Sequence, residues 1–291
     1  MSHFTVMVIG DNPEEQLAPY SESIETAPRV REEVSDEEIQ SMIEYYKNPE
    51  NGGHEYTTFD EIVEKKGNDW NGNRWEKRDG VWVEVTTYNP KSKWDWYQLG
   101  GRWTGFLKLK QGANGEVGEP GILTTEAEEG YVDAALKKDI DFEGMKNDAG
   151  EKASKRYDEV MSYIGHTEPN KPWTEFIERV KKEEITIDDA REQYHTQPRL
   201  VAVKENQKEL GFILDADRFL VSKEEYVEQA RNNAISTFAV VKDGKWYEKG
   251  EMGWFAMVSN EMDQNEWNKK VDELIASLED DTLISIYDCH I

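Results

Sequence analysis

The sequence predicts an α+β fold: a mixed or antiparallel sheet joining the first and last strands, with a helical middle segment. Three observations carry this. Both ends of the chain alternate with a period of two and are rich in β-branched residues. Helix-capping signatures recur between them. The tail reads strand, strand, helix, strand.

The elements follow in order. His3–Ile9 predicts a strand, closed by the turn residues Gly10-Asp11-Asn12-Pro13. Residues 14–34 are acidic, contain Pro19 and Pro28, and predict an irregular surface segment. Ser35-Asp36-Glu37-Glu38 is a capping box opening a helix, with Ile39, Met42, Ile43 and Tyr46 at helical spacing. Phe59–Lys66 predicts a second helix, ended by Gly67. From Trp70 the period becomes two, with Asp79-Gly80 turning a hairpin between Arg74–Arg78 and Val81–Thr87. Trp103–Lys110 predicts a further strand, and Gln111–Gly121 a long loop and internal boundary.

Residues 126–196 read as mainly helical, with caps at Thr125, Asp141, Thr174 and Thr186. Arg199–Val203 and Phe212–Leu214 read as short strands, and Ser222 caps a helix running to about Asn233. The tail comprises strand Ile235–Val241, an Asp243-Gly244 turn, strands Lys245–Tyr247 and Trp254–Val258, helix Gln264–Leu278 and strand Thr282–Tyr287. The organisation is then residues 1–110, an α/β region with Trp-rich strands; 111–197, a helical insertion; and 198–291, an α+β region pairing with the first strand.

Composition bounds the function. The 291 residues carry 61 acidic and 35 basic side chains, a formal charge of −26. Residues 1–50 hold 12 acids against 3 bases, and residues 251–291 hold 10 against 2. Residues 51–110 are balanced at 9 and 10. Such acidity argues against direct nucleic-acid contact, because phosphate binding needs Lys and Arg to release counterions. No run reaches the roughly 18 apolar residues of a membrane span. One cysteine, Cys289, excludes an internal disulfide and any Cys-rich zinc module. Phosphate-loop, dinucleotide, zincin, nucleophile-elbow and calcium-loop motifs are missing, and no cofactor is expected.

Three groups of residues bear on function. Asp288 and His290 share a strand face, and pairing of the end strands brings His3 beside them. The result is either a hydrogen-bonded cluster or, as the weaker alternative, a metal site of His3, Asp288 and His290 in a small metal-assisted or nucleotide-processing enzyme. Cys289 points the other way, as a small buried apolar residue. The second group is Trp94, Trp96, Arg102 and Trp103 around Gly100-Gly101. It is a structural corner with Arg102 pairing Asp95, or a stacking platform with Arg102 on the tryptophans. The third is acidic: Glu32, Glu33, Glu37 and Glu38, expected to face solvent, as a partner-binding surface or as a device for solubility.

Ser2-His3-Phe4-Thr5-Val6-Met7-Val8-Ile9-Gly10 with Gln16-Leu17-Ala18-Pro19-Tyr20 resembles a family of bacteriophage proteins. So do Lys93-Trp94-Asp95-Trp96-Tyr97-Gln98-Leu99-Gly100-Gly101-Arg102-Trp103 and the tail from Trp254 to Asp288-Cys289-His290-Ile291. The middle, 111–250, lies outside the resemblance. The resemblance implies a host-directed role in the bacterial cytoplasm. Its most concrete form is an anti-Gabija protein, of a class that assembles around a defence nuclease and prevents DNA binding. The expectation is therefore an acidic, homo-oligomeric inhibitor rather than an enzyme, whose partner is a host defence complex containing a DNA-binding nuclease. The resemblance transfers no functional residue.

Overall fold

The computed structural model describes residues 2–51, 55–69, 72–122, 124–212, 214–253 and 257–291. Strand β1 (His3–Ile9) leads into the short helix α1 (Pro13–Leu17). Strand β2 (Arg29–Glu33), helices α2 (Asp36–Lys47) and α3 (Phe59–Lys66), and the hairpin β3 (Arg74–Arg78) and β4 (Val81–Thr86) follow. Next come β5 (Trp96–Gly101), β6 (Leu107–Lys108), β7 (Glu119–Pro120), β8 (Tyr131–Val132) and β9 (Ala134–Leu136).

The helical stretch runs through α4 (Phe142–Ile164), α5 (Trp173–Lys181), α6 (Ile187–His195), α7 (Pro198–Glu205), α8 (Gln207–Leu210) and α9 (Lys223–Asn233). The chain closes with β10 (Ala239–Lys242), β11 (Lys245–Glu248), β12 (Glu251–Met252), β13 (Val258–Ser259), α10 (Gln264–Ala276) and β14 (Leu283–His290).

The architecture is α+β around a mixed seven-stranded sheet in the order β11-β10-β1-β14-β5-β7, with β9 also on β14. β1 runs parallel to β10 and antiparallel to β14, in the register His3↔His290 to Ile9↔Ile284. The pleat sorts its side chains onto two faces. Met7, Ile9, Ile284 and Ile286 pack under Trp267, Val271 and Ile275 of α10. Phe4, Val6, Val8, Tyr287 and Cys289 pack on the other side with Leu17, Tyr20 and Trp94. Trp267 is fully buried, and its indole Nε1 donates to the Thr237 carbonyl at 2.7 Å.

A second sheet, β2-β4-β3, shares a small core of Val34, Tyr56, Phe59, Ile62 and Trp75 with α2 and α3. The helical stretch has its own core, with Val160 and Ile164 of α4 against Val203, Leu210 and Phe219.

Several expectations need correction. Residues 14–34 are not irregular throughout: Pro13 starts α1 in the first-turn position that tolerates a missing N–H, and Arg29–Glu33 pairs with β4. Trp103–Lys110 contributes only β6, because Trp103 and Thr104 donate back to Gly100 and Gly101 in a turn. Tyr131–Val132 and Ala134–Leu136 are strands rather than helix, and Thr125 opens no helix. Pro172, not Thr174, precedes α5, while Asp141 and Thr186 do cap their helices.

Arg199–Val203 is helical: Pro198 occupies the first turn, and Ala202 and Val203 turn into the core while Val201 faces outward. Phe212 and Leu214 are not in a strand, and Ile213 lies outside the described residues. Of the expected strand Trp254–Val258, residues 254–256 lie outside the described residues, as do Trp70 and His54, and Val258–Ser259 pairs with β12.

Candidate functional site

The register of three strands assembles the polar end of the main sheet. β1, β14 and β5 align His3, His290 and Trp96 in one row and Thr5, Asp288 and Gln98 in another. His3 Nδ1 lies 2.8 Å from Asp288 Oδ1, and His290 Nδ1 lies 2.6 Å from Asp95 Oδ1. The imidazole rings meet edge to face at 4.9 Å, and Trp96 lies 6.1 Å from His3. Asp288 is 1% exposed, and its second oxygen accepts the backbone N–H of Arg102 at 3.0 Å. Burial without compensation is costly for a carboxylate, so these two donors hold it in place.

A carboxylate on Nδ1 fixes each ring and leaves Nε2 as its remaining polar atom. His3, Asp288 and His290 therefore do converge. They do so as two Asp–His pairs, each carboxylate already engaged by a ring. Among the described residues no group of three or more His, Cys, Asp or Glu is arranged to hold a metal. His290 Nε2 is enclosed and unbonded. Cys289 is fully buried on the opposite face, and burial pushes its thiol well above the usual range.

The Trp94–Trp103 segment does not form one platform. Trp94 is buried on the α1 side, its Nε1 donating to the Leu17 carbonyl at 3.2 Å. Trp96 is 45% exposed on the opposite face, and Trp103 packs against the α10 core. Arg102 does not pair with Asp95, whose partner is His290; among the described residues its side chain makes no ion pair or ring contact. Its role here comes through the backbone.

The turn is shaped by two buried carboxylates. Gly100 and Gly101 have φ of +75° and +55°. A Cβ on Gly100 would lie 2.6 Å from Asp133 Oδ2, and one on Gly101 would lie 2.5 Å from Asp288 Cβ. Asp133, fully buried, accepts N–H groups from Gly105 at 2.7 Å and Gly118 at 2.8 Å. Desolvation raises its pKa, and those N–H groups oppose the rise. Sequence reasoning missed Asp133. Its signal was a lone acid inside the apolar run Tyr131-Val132-Asp133-Ala134-Ala135.

Glu32, Glu33, Glu37 and Glu38 lie at the β2–α2 junction, all exposed. They are not equivalent. Glu32 stands opposite Glu84, with Arg31 between them at 3.5 and 3.0 Å. Burial, then Asp69, raises the Glu84 pKa, and Glu32 adds to it. Glu38 bonds the Ser35 N–H at 2.9 Å and hydroxyl at 2.7 Å, which holds its pKa below the ordinary value. It is a capping group, not a free one. Glu33, Asp36, Glu37 and Glu44 are exposed and make no ion pair among the described residues. Comparisons with protein-family models, curated proteins and solved structures found no match to this chain.

Proposed function

We propose that this chain is a binding protein: an acidic inhibitor that covers a basic, DNA-holding surface of a host defence nuclease complex. The observation that carries the reading is the unpaired carboxylate face at the β2–α2 junction. Glu37 and Glu44, seven residues apart, share the outer face of α2, with Glu33 and Asp36 at its base. Such a face is steered toward positive potential and competes with phosphate for the same lysines and arginines. The sequence resemblance to phage proteins directs the proposal to a defence nuclease.

The test is inhibition of a purified Gabija-type nuclease complex by near-stoichiometric protein. Raising salt from about 50 to about 300 mM shortens the Debye length from roughly 14 to roughly 6 Å and should slow association. Glu32→Lys, Glu33→Lys and Glu37→Lys together should weaken inhibition, with Glu38 left intact because it caps α2. Inhibition indifferent to both salt and charge reversal would refute competition with DNA. Metal-dependent turnover lost in His290→Ala would favour the enzyme reading instead.

A further inference from the structure

A groove on the far edge of the main sheet shares no lining residue with the His–Asp cluster or the α2 face. Its cavity measures about 490 Å³ and is lined by residues 117–120 and 126–132. The apolar part is Val117, Pro120 and Ala127, with Val117 51% exposed, and Ile122 stands fully exposed in the connecting turn. Glu126, Glu128 and Glu129 stand on its rim. All three are exposed, and none makes an ion pair among the described residues.

The walls are fixed before anything binds. Gly115, Gly118 and Gly121 recur every third residue, and a Cβ on any of them would press into neighbouring backbone at Ala134, Leu99 or Arg102. The loop therefore lies backbone against backbone on β5, where Gly100 pairs with Glu119. Gln98 Nε2 and Thr104 Oγ1 both donate to the Glu119 carbonyl, at 2.7 and 3.2 Å. On the opposite wall, the Tyr131 hydroxyl donates to Asp148 at 2.5 Å. Preorganised walls lower the ordering cost of binding. Pro120 lacks an N–H, so this edge is poorly suited to adding a strand, and recognition falls to side chains.

We infer that this groove docks a basic, apolar-containing peptide segment of a partner protein. Aliphatic side chains would enter between Val117, Pro120 and Ala127, and Lys or Arg would meet the three rim carboxylates. An acidic segment would be repelled there, and a purely polar one would leave the apolar floor wet.

Fluorescence anisotropy with three labelled hexapeptides tests this: Arg-Val-Lys-Leu-Arg-Val, the polar Arg-Ser-Lys-Ser-Arg-Ser, and the acidic Glu-Val-Asp-Leu-Glu-Val. Only the first should bind well. Glu126→Gln with Glu128→Gln and Glu129→Gln should weaken it about tenfold, the summed effect of three exposed charge contacts. Ala127→Arg should abolish binding, while Glu32→Lys with Glu33→Lys and Glu37→Lys should leave it unchanged. Circular dichroism checks that each variant is folded. Equal binding of the two basic peptides, equal loss in the α2 variant, or no binding at all would overturn the proposal. So would a dimer of the chain that Ala127→Arg dissociates, since the occupant would then be a second copy. Because the α2 variant is read separately, failure here leaves the nuclease proposal standing.

Discussion

At Gly101 the backbone and a neighbouring carboxylate both reject a side chain. Gly101→Ala must adopt a positive φ and push against Asp288 Cβ, 2.5 Å from the added atom. The left-handed conformation costs about 1–2 kcal/mol and overpacking about 1–3 more. Gly130 has φ of +84° but nothing within 4 Å of its Cβ position, so Gly130→Ala pays only the first term. Urea unfolding should rank Gly101→Ala clearly below Gly130→Ala; equal losses would show that the carboxylate cradle is soft. Tyr131 offers a second residue-scale test. Burial and its bond to Asp148 push its pKa up to about 12, from about 10 in the unfolded chain. The folded state thus favours the neutral phenol. That contribution is fully present below about pH 10 and is lost as pH rises toward about 12. Tyr131→Phe should lose less stability than the parent across this window, measured as urea midpoints. Parallel curves would remove the hydroxyl from the stability balance.

At the scale of elements, the caps separate what two adjacent glutamates do. Ser35→Ala should cost about 0.5–2 kcal/mol by releasing an α2 backbone donor. Glu38→Lys should be destabilising while Glu37→Lys stays near neutral, because only Glu38 reaches back to Ser35. Equal melting points for the two lysine variants would contradict the reciprocal cap. Trp267→Ala, which empties the space between α10 and the sheet and orphans the Thr237 carbonyl, should cost about 3–5 kcal/mol. A loss below about 1 kcal/mol would mean that α10 does not hold the core. Elements whose signals are local were legible in the sequence. Ser35 caps its helix through Glu38, three positions on, and Asp79-Gly80 and Asp243-Gly244 turn their hairpins. Arg199–Val203 was not, since a short β-branched run reads alike as strand or buried helix until its packing is known. Strand alternation placed Asp288 and His290 on one face, and His3 joins them only through the pairing of β1 with β14. The Asp95–His290 pair instead of Asp95–Arg102 depended on the β14–β5 register, which no local pattern encodes.

For the molecule as a whole, a charge of −26 makes the folded state repel itself. Moderate salt screens that repulsion, so the melting temperature should rise between about 20 and about 300 mM sodium chloride, as the Debye length falls. A fall would mean that the ion pairs, Lys93–Glu248 and Lys108–Asp148 among them, outweigh the general field. The position of β14 between β1 and β5 has a further consequence, for a chain made from its N-terminus. β1 leaves the ribosome long before its neighbours β10 and β14, and the His3–Asp288 bond spans 285 positions. Such long-range closure is slow, and an unpaired apolar strand is an aggregation hazard while it waits. Until β14 emerges, the apolar edges of β1 and β5 lack the strand that separates them. A nascent chain stalled before Leu283 should therefore bind chaperones and be cut readily by protease, and release of the final strand should end both at once.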